Sequence, residues 1–233
     1  MKSPLLFVAF DSLSIKPGVT IVDMYNLHET GEEFGIKINL DAALKDLADR
    51  ETIWLDRVMR LKRPVFVDLK MWNGKRTMTD IAKMLVDAGV DYFNVWVQAD
   101  DQLADAVKAT EGSNTKILGV TVLTHYSEDW CQMYFRRSLD ETVAFLTQRA
   151  KNLGLDGVVL PGTCLSAVKN VDLIKAVPGI RMEDFKDDRH NQEVTPEFAA
   201  QNGADIVVCG SPIMKVPDKA SALRQVLIRL QTA

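Results

Sequence analysis

Histidine and cysteine are scarce in this chain, with three of each among 233 residues. His28, His125 and His190 stand far apart, and none falls at ligand spacing from another histidine or a cysteine. The usual signatures of a zinc site are therefore missing, and no bound metal is expected. Cys131, Cys164 and Cys209 are odd in number and widely spread, which suits reduced thiols. Cys164 and Cys209 have no basic neighbour in sequence and read as small buried hydrophobes, not nucleophiles. Long apolar runs are also missing. The longest, such as Pro4–Phe10, reach strand length and stop far short of the roughly 20 residues that span a membrane. No signal-peptide pattern occurs at Met1–Asp11, so a cytoplasmic protein is expected. Nor is there a basic surplus: 28 Lys+Arg against 32 Asp+Glu give a net charge of -4. That argues against a nucleic-acid footprint and leaves room for a local site for a small anion.

What the chain has is apolar content, 47%, enough to bury a sizeable core without staples. Eight short apolar, β-branched runs recur: Leu5–Phe10, Phe34–Ile38, Val65–Leu69, Tyr92–Val97, Ile117–Val122, Gly157–Leu160, Gly179–Met182 and Ile206–Cys209. Between them apolar residues fall at three- and four-residue spacing, as in Ile81, Met84, Leu85 and Ala88, which predicts amphipathic helices. Strands that are continuously apolar and separated by helical crossovers form parallel sheets. Eight repeats without a linker, and without a GxGxxG after Phe10, fit one (β/α)8 TIM barrel over residues 1–233 better than an open doubly wound sheet. Trp54, Trp130 and the methionines lack convergent polar partners and read as packing residues, and His28 as a surface helix residue.

Barrel ligands sit at the strands' C-terminal ends, so the polar residues there are the candidates. In order they are Asp11, Lys37 with Asn39, Asp68 with Lys70, Gln98, Thr124 with His125, Arg181, and Gly210 with Ser211. Asp68 and Lys70 share a face, because side chains i and i+2 of a strand point the same way. The plain structural reading of such a pair is a buried ion pair. Lys37 in Gly-Ile-Lys-Ile adds a third charge at a neighbouring strand end. Alternating charges of this kind make a preorganised field suited to a developing carbanion, with a lysine at hand to protonate it.

These residues and their surroundings resemble the orotidine 5'-phosphate decarboxylase family. The resemblance runs in order through Val8–Asp11, Gly35–Lys37, Val67–Lys70, Gly119–Thr124, Pro178–Arg181, Val194–Pro196 and Gly203–Ile213. It implies a cofactor-free (β/α)8 carboxy-lyase that converts a small phosphorylated nucleotide into uridine monophosphate and carbon dioxide. It also implies a homodimer in which each subunit lends a residue to the other's active site. Related phosphosugar enzymes carry an acidic metal ligand where this chain has Lys37, so the lysine points to the metal-free branch. The resemblance assigns Asp11 and Lys37 to the ribose and Asp68 to crowding the substrate's carboxylate. Lys70 would protonate the carbon left behind, and Thr124 would recognise the pyrimidine edge. Arg181 and the amides of Gly210 and Ser211 would hold the phosphate.

Departures fall in the same regions. The family motif Asp-x-Lys-x-x-Asp reads Asp68-Leu-Lys70-Met-Trp-Asn73 here, so the aspartate donated across the dimer is Asn73. The phosphate-binding arginine of Gly-Arg-Pro-Ile is Ser211, the Gly-Asp-Gln of the phosphate loop is Asp188–His190, and the histidine of the fourth strand is Trp96. A hydroxyl does not replace a bidentate guanidinium. Lys75, Arg76, Arg189 and Lys215 are the nearby cations that could compensate. The alternatives to decarboxylation of orotidine 5'-phosphate are a site retuned to another phosphorylated or carboxylated nucleotide-like substrate, and a nucleotide-binding protein with little catalysis.

Overall fold

Residues whose side chains branch at Cβ or carry rings favour the pleated backbone, and seven of the eight apolar runs contribute a strand. The computed structural model describes residues 3–11, 21–39, 54–182 and 192–233. Its strands are β1 (Leu5–Ala9), β2 (Gly35–Asn39), β3 (Val65–Met71), β4 (Tyr92–Trp96), β5 (Lys116–Val120), β6 (Gly157–Val159), β7 (Ile174–Val177) and β8 (Ile206–Cys209). Every neighbouring pair is parallel, and β8 returns to pair with β1, closing a barrel in chain order. With helices between the strands, this is the (β/α)8 TIM barrel that the alternation predicts.

The described α-helices are α1 (Ile21–His28), α2 (Trp54–Arg60), α3 (Lys75–Asp87), α4 (Ala104–Thr110), α5 (Glu128–Phe135), α6 (Leu139–Asn152), α7 (Pro196–Gln201), α8 (Ser211–Met214) and α9 (Lys219–Gln231), with 3-10 helices at Val97–Leu103 and Gly162–Val168. Local chemistry sets several starts. Ser138 and Glu141 form a reciprocal capping box on α6. Thr195 caps α7 by accepting from the amide of Phe198, and Pro196 takes the first helical position, where no amide is needed. The Val-Thr-Pro motif is thus a helix start. No helix among the described residues is long and apolar enough to cross a membrane.

Strand alternation divides the core in two. Phe7, Phe66, Leu118, Val159 and Val208 point into the barrel and form one cluster. Leu6, Val8, Ile36, Val67 and Phe93 point outward and pack in the layer that includes helix residues such as Met78 and Leu223. Inside, the rings of Phe7, Phe66 and Tyr92 meet edge to face with centroids 5.6–6.3 Å apart. Gly35 lies opposite Phe7 in register, and a Cβ there would come within 2.4 Å of the Phe7 ring. Glycine is the residue that leaves space for that aromatic floor.

The seventh strand differs from expectation. It is Ile174–Val177, and the predicted run Gly179–Met182 lies beyond it. Pro178 has no amide to continue the ladder, and Gly179 turns the chain with φ +79°. Ile180 makes only an isolated parallel bridge to Val194. Arg181 therefore stands on the loop after β7. His28 also differs: it is half-buried at the end of α1, and its Nδ1 accepts from Arg63 Nε at 2.8 Å. All three cysteines are buried and free, and burial pushes the thiols of Cys164 and Cys209 up to about 12.

Candidate active site

Two residues beyond the aromatic floor, the same inward alternation produces a polar layer. Gly35 leads to Lys37 on β2, Phe66 to Asp68 on β3, and Tyr92 to Asn94 on β4. Lys37 pairs in register with Ala9 on one side and Phe66 on the other, and Asn39 with Asp68. The small side chain of Ala9 leaves room for the lysine to rise into the mouth of the barrel.

Lys37 is 5% exposed, and its ammonium bridges two carboxylates, 2.7 Å from Asp11 Oδ1 and 2.8 Å from Asp68 Oδ2. It also donates to Asn39 Oδ1 at 2.6 Å. Lys70 Nζ lies 2.7 Å from both oxygens of Asp68, and Asn94 Nδ2 donates to Asp68 Oδ1 at 2.7 Å. Burial by itself would lower the Lys37 pKa, but Asp68 and Asp11 outweigh it and hold the group above its ordinary value. For Asp68 burial works upward, and the two lysines outweigh that and hold the carboxyl well below the usual range. Lys37 and Asp68 are therefore both charged across the neutral range.

These groups line a cavity of about 300 Å³, at the small end of ligand-pocket sizes. Asp11, Lys37, Asp68 and Lys70, from the ends of β1 to β3, line it together with Thr124, Arg181, Gly210 and Ser211, which follow β5, β7 and β8. Arg181 is 7% exposed; its Nε lies 2.8 Å from Glu193 Oε1, and Nη1 donates to the carbonyl of Ile180 at 3.1 Å. His125 also lines the cavity, whereas Gln98 is turned away and donates to the carbonyl of Thr121. Asn73 does not line the cavity: it is exposed beside Trp72, and its Oδ1 accepts from the amide of Gly74. Among the cations considered as compensation, Lys215 lines the cavity, Arg76 does not, and Lys75 pairs with Asp105 at 3.1 Å outside it. Arg189 and the Asp188–His190 segment lie outside the described residues.

Two neighbours of the cluster escaped the sequence reading. Asn94 carried a usable signal, a lone amide at an inward position between Phe93 and Val95. Glu193 carried none, since it meets Arg181 only through the bridge between Ile180 and Val194.

A charged pocket at the C-terminal mouth of a (β/α)8 barrel is where enzymes of this fold hold their substrates. The family model for the orotidine 5'-phosphate decarboxylase / HUMPS family matches residues 4–226, and the chain belongs to that family. It is 33% identical over 167 residues to the orotidine 5'-phosphate decarboxylase of Streptococcus pneumoniae (strain Hungary19A-6), spanning 70% of this chain and 72% of that one. Against the enzyme of the same name from Carboxydothermus hydrogenoformans it is 31% identical over 190 residues, 76% of this chain and 78% of the other. The crystal structure of orotidine 5'-phosphate decarboxylase from Lactobacillus acidophilus shares the fold, with a TM-score of 0.72 at 21% identity over 98% of this chain and 99% of that one.

The charge cluster has a measurable pH signature. Because the folded pKa of Asp68 is depressed, its stabilisation is present above the unfolded value of 3.8 and is lost as pH falls through the folded value. Because that of Lys37 is raised, its share is present below 10.5 and is lost as pH rises through the folded value. Asp68→Asn should destabilise the protein towards the lower end of the roughly 3–5 kcal/mol typical of a broken buried pair, since Asp11 still faces Lys37. In denaturant titrations the gap from the parent should stay constant between about pH 4 and 10 and narrow in acid. A gap that opens on acidification would contradict this charge assignment.

Proposed function

We propose that this single-domain barrel is a cofactor-free orotidine 5'-phosphate decarboxylase. The observation that carries the reading is the Lys37–Asp68–Lys70 cluster at the mouth of the cavity. In the phosphosugar branch of the family a metal ligand stands where Lys37 stands. Here an ammonium already occupies the space between the Asp11 and Asp68 carboxylates.

In this mechanism Asp11 and Lys37 take the ribose hydroxyls and Thr124 the pyrimidine edge. The phosphate goes to Arg181 and the backbone at Gly210 and Ser211. That pose sets the substrate's carboxylate against Asp68, whose charge Lys37 and Lys70 maintain. Like charges in a site shielded from water repel, and the repulsion is relieved as the bond from the ring to the carboxylate breaks and carbon dioxide leaves. The electron pair of that bond stays on the ring carbon, where Lys70 stabilises it by its charge and then gives up a proton to it. Water restores the proton to Lys70.

The active unit in this reading is a symmetric homodimer. Asn73 lies outside its own cavity, beside the exposed Trp72, in the position of the family residue that reaches the partner's site. Sedimentation at working concentration should give a dimer; a monomer that retains full activity would overturn the shared site.

A second reading, a substrate carrying its anionic group elsewhere, draws on Glu193. Arg181 is ion-paired with that carboxylate, and Ser211 supplies no guanidinium, so a phosphate would meet fewer guanidinium donors than the family pattern provides.

Carbon dioxide release from orotidine 5'-phosphate by the purified protein tests the first reading, and no release overturns it. Lys70→Ala should abolish turnover and leave the fold intact, as judged by circular dichroism. Near-parental release would remove Lys70 from the mechanism. The departures are tested by restoring what the family has. If the protein is a decarboxylase working with a diminished site, Ser211→Arg should improve apparent affinity by roughly 1.5–3 kcal/mol, the range of a charge-assisted hydrogen bond. Asn73→Asp should act chiefly on kcat. A double variant no better than the parent would favour the second reading.

A further inference from the structure

Asn94 is 1% exposed and connects the two groups on which the proposed chemistry turns. Its Nδ2 donates to Asp68 Oδ1, and its Oδ1 accepts from the backbone amide of Lys70, each at 2.7 Å. The need for the second bond arises in β3. That strand is in register with β4 at Val67 opposite Phe93 and again at Met71 opposite Val95, so it takes four steps where β4 takes two. The excess is absorbed as a bulge, which turns Lys70 to φ +45°, a region disfavoured for any residue with a side chain. The turn removes the Lys70 amide from the β3–β4 ladder, and a buried amide must find another acceptor. The Asn94 carboxamide provides it and offers its own amide hydrogens to Asp68.

We propose that Asn94 is a positioning residue. One carboxamide holds the Lys70 backbone in its bulge and fixes the orientation of the Asp68 carboxylate, so that the proton donor and the repelling charge keep their mutual geometry. The proposal rests on the decarboxylase reading and extends it to a residue that need not touch substrate. A merely structural amide would affect stability when replaced, with no separate effect on turnover and no effect on the pH profile.

Three variants distinguish these roles. Asn94→Ala removes both bonds and should lower kcat for orotidine 5'-phosphate roughly 10²-fold, with KM changed by no more than about threefold. Asn94→Ser, with shorter reach, should do nearly the same and covers failure of the alanine variant to fold. Asn94→Asp, almost the same shape, keeps the acceptor for Lys70 but sets a second carboxylate against Asp68. The charged groups around this point are Asp68 and Lys70 from β3, Lys37 from β2 and Asp11 beyond β1, while β5 presents Leu118 in register. His125, Arg181 and Lys215 also line the cavity. Two adjacent carboxylates share a proton as pH falls, and the shared proton restores the donor to Asp68. The activity of Asn94→Asp relative to the parent should therefore rise at least about tenfold from pH 8 to pH 5. Parental kcat in the alanine or serine variant, or an aspartate profile parallel to the parent's, would overturn the proposal. Hydrogen exchange at the Lys70 amide of the unliganded protein supplies a readout independent of activity. It should be slow in the parent and in Asn94→Asp, and faster in Asn94→Ala or Asn94→Ser. If the parent releases no carbon dioxide, the decarboxylase reading fails and exchange alone decides. A Lys70 amide that exchanges as fast in the parent as in those variants overturns the positioning role.

Discussion

A carboxylate with only a tenth of its side chain exposed needs compensation on every side, and the upper half of this barrel is built to supply it for Asp68. Lys37 approaches from β2, Lys70 from two residues further along β3, and Asn94 from β4. Lys37 and Asn94 are placed by strand register and Lys70 by the bulge in β3, so the geometry of the cluster is a property of the sheet itself. Desolvation makes such a cluster costly, and removing one member would strand the charges of the rest. The barrel bears that cost at the point where function calls for charge held in place.

Much of this was legible in the sequence. Eight apolar runs alternating with helical segments predicted the closed barrel, because parallel strands need crossovers and carry little polar residue of their own. Lys37 and Asp68 stood out because a charge inside an apolar strand has to be explained. The shift of the seventh strand was less legible: Ile174–Val177 carries Lys175, a charge that interrupts its short apolar run. The run that looked more like a strand includes Gly179, whose backbone conformation is incompatible with a regular ladder. Asn94 offered only a lone inward amide as a signal and Glu193 none, and the partners of both are distant in sequence. Asn94 serves a bulge, and Glu193 serves an arginine across a two-residue bridge. Neither a bulge nor such a bridge leaves a periodicity to read.

The electrostatic contrast between the two sides of the cavity also follows from this architecture. On the strand side, two lysines share Asp68 and Asp11 in a closed set of ion pairs. On the loop side, Arg181 is paired with Glu193, and Ser211 opens the four-residue helix α8. A substrate entering this pocket meets ion pairs anchored on strands at one end and an ion pair anchored on loop residues at the other.

The division has an evolutionary consequence. Groups set by register change only together, since a slip of one residue along a strand would turn the whole layer to the opposite face. Groups on the connecting segments carry no such linkage and are exchanged one at a time. Asn73 and Ser211, two of the departures from the family pattern, lie on those segments, whereas a third, Trp96, ends β4. A lineage built on this barrel is free to explore new ligands while inheriting its strand-borne charges unchanged.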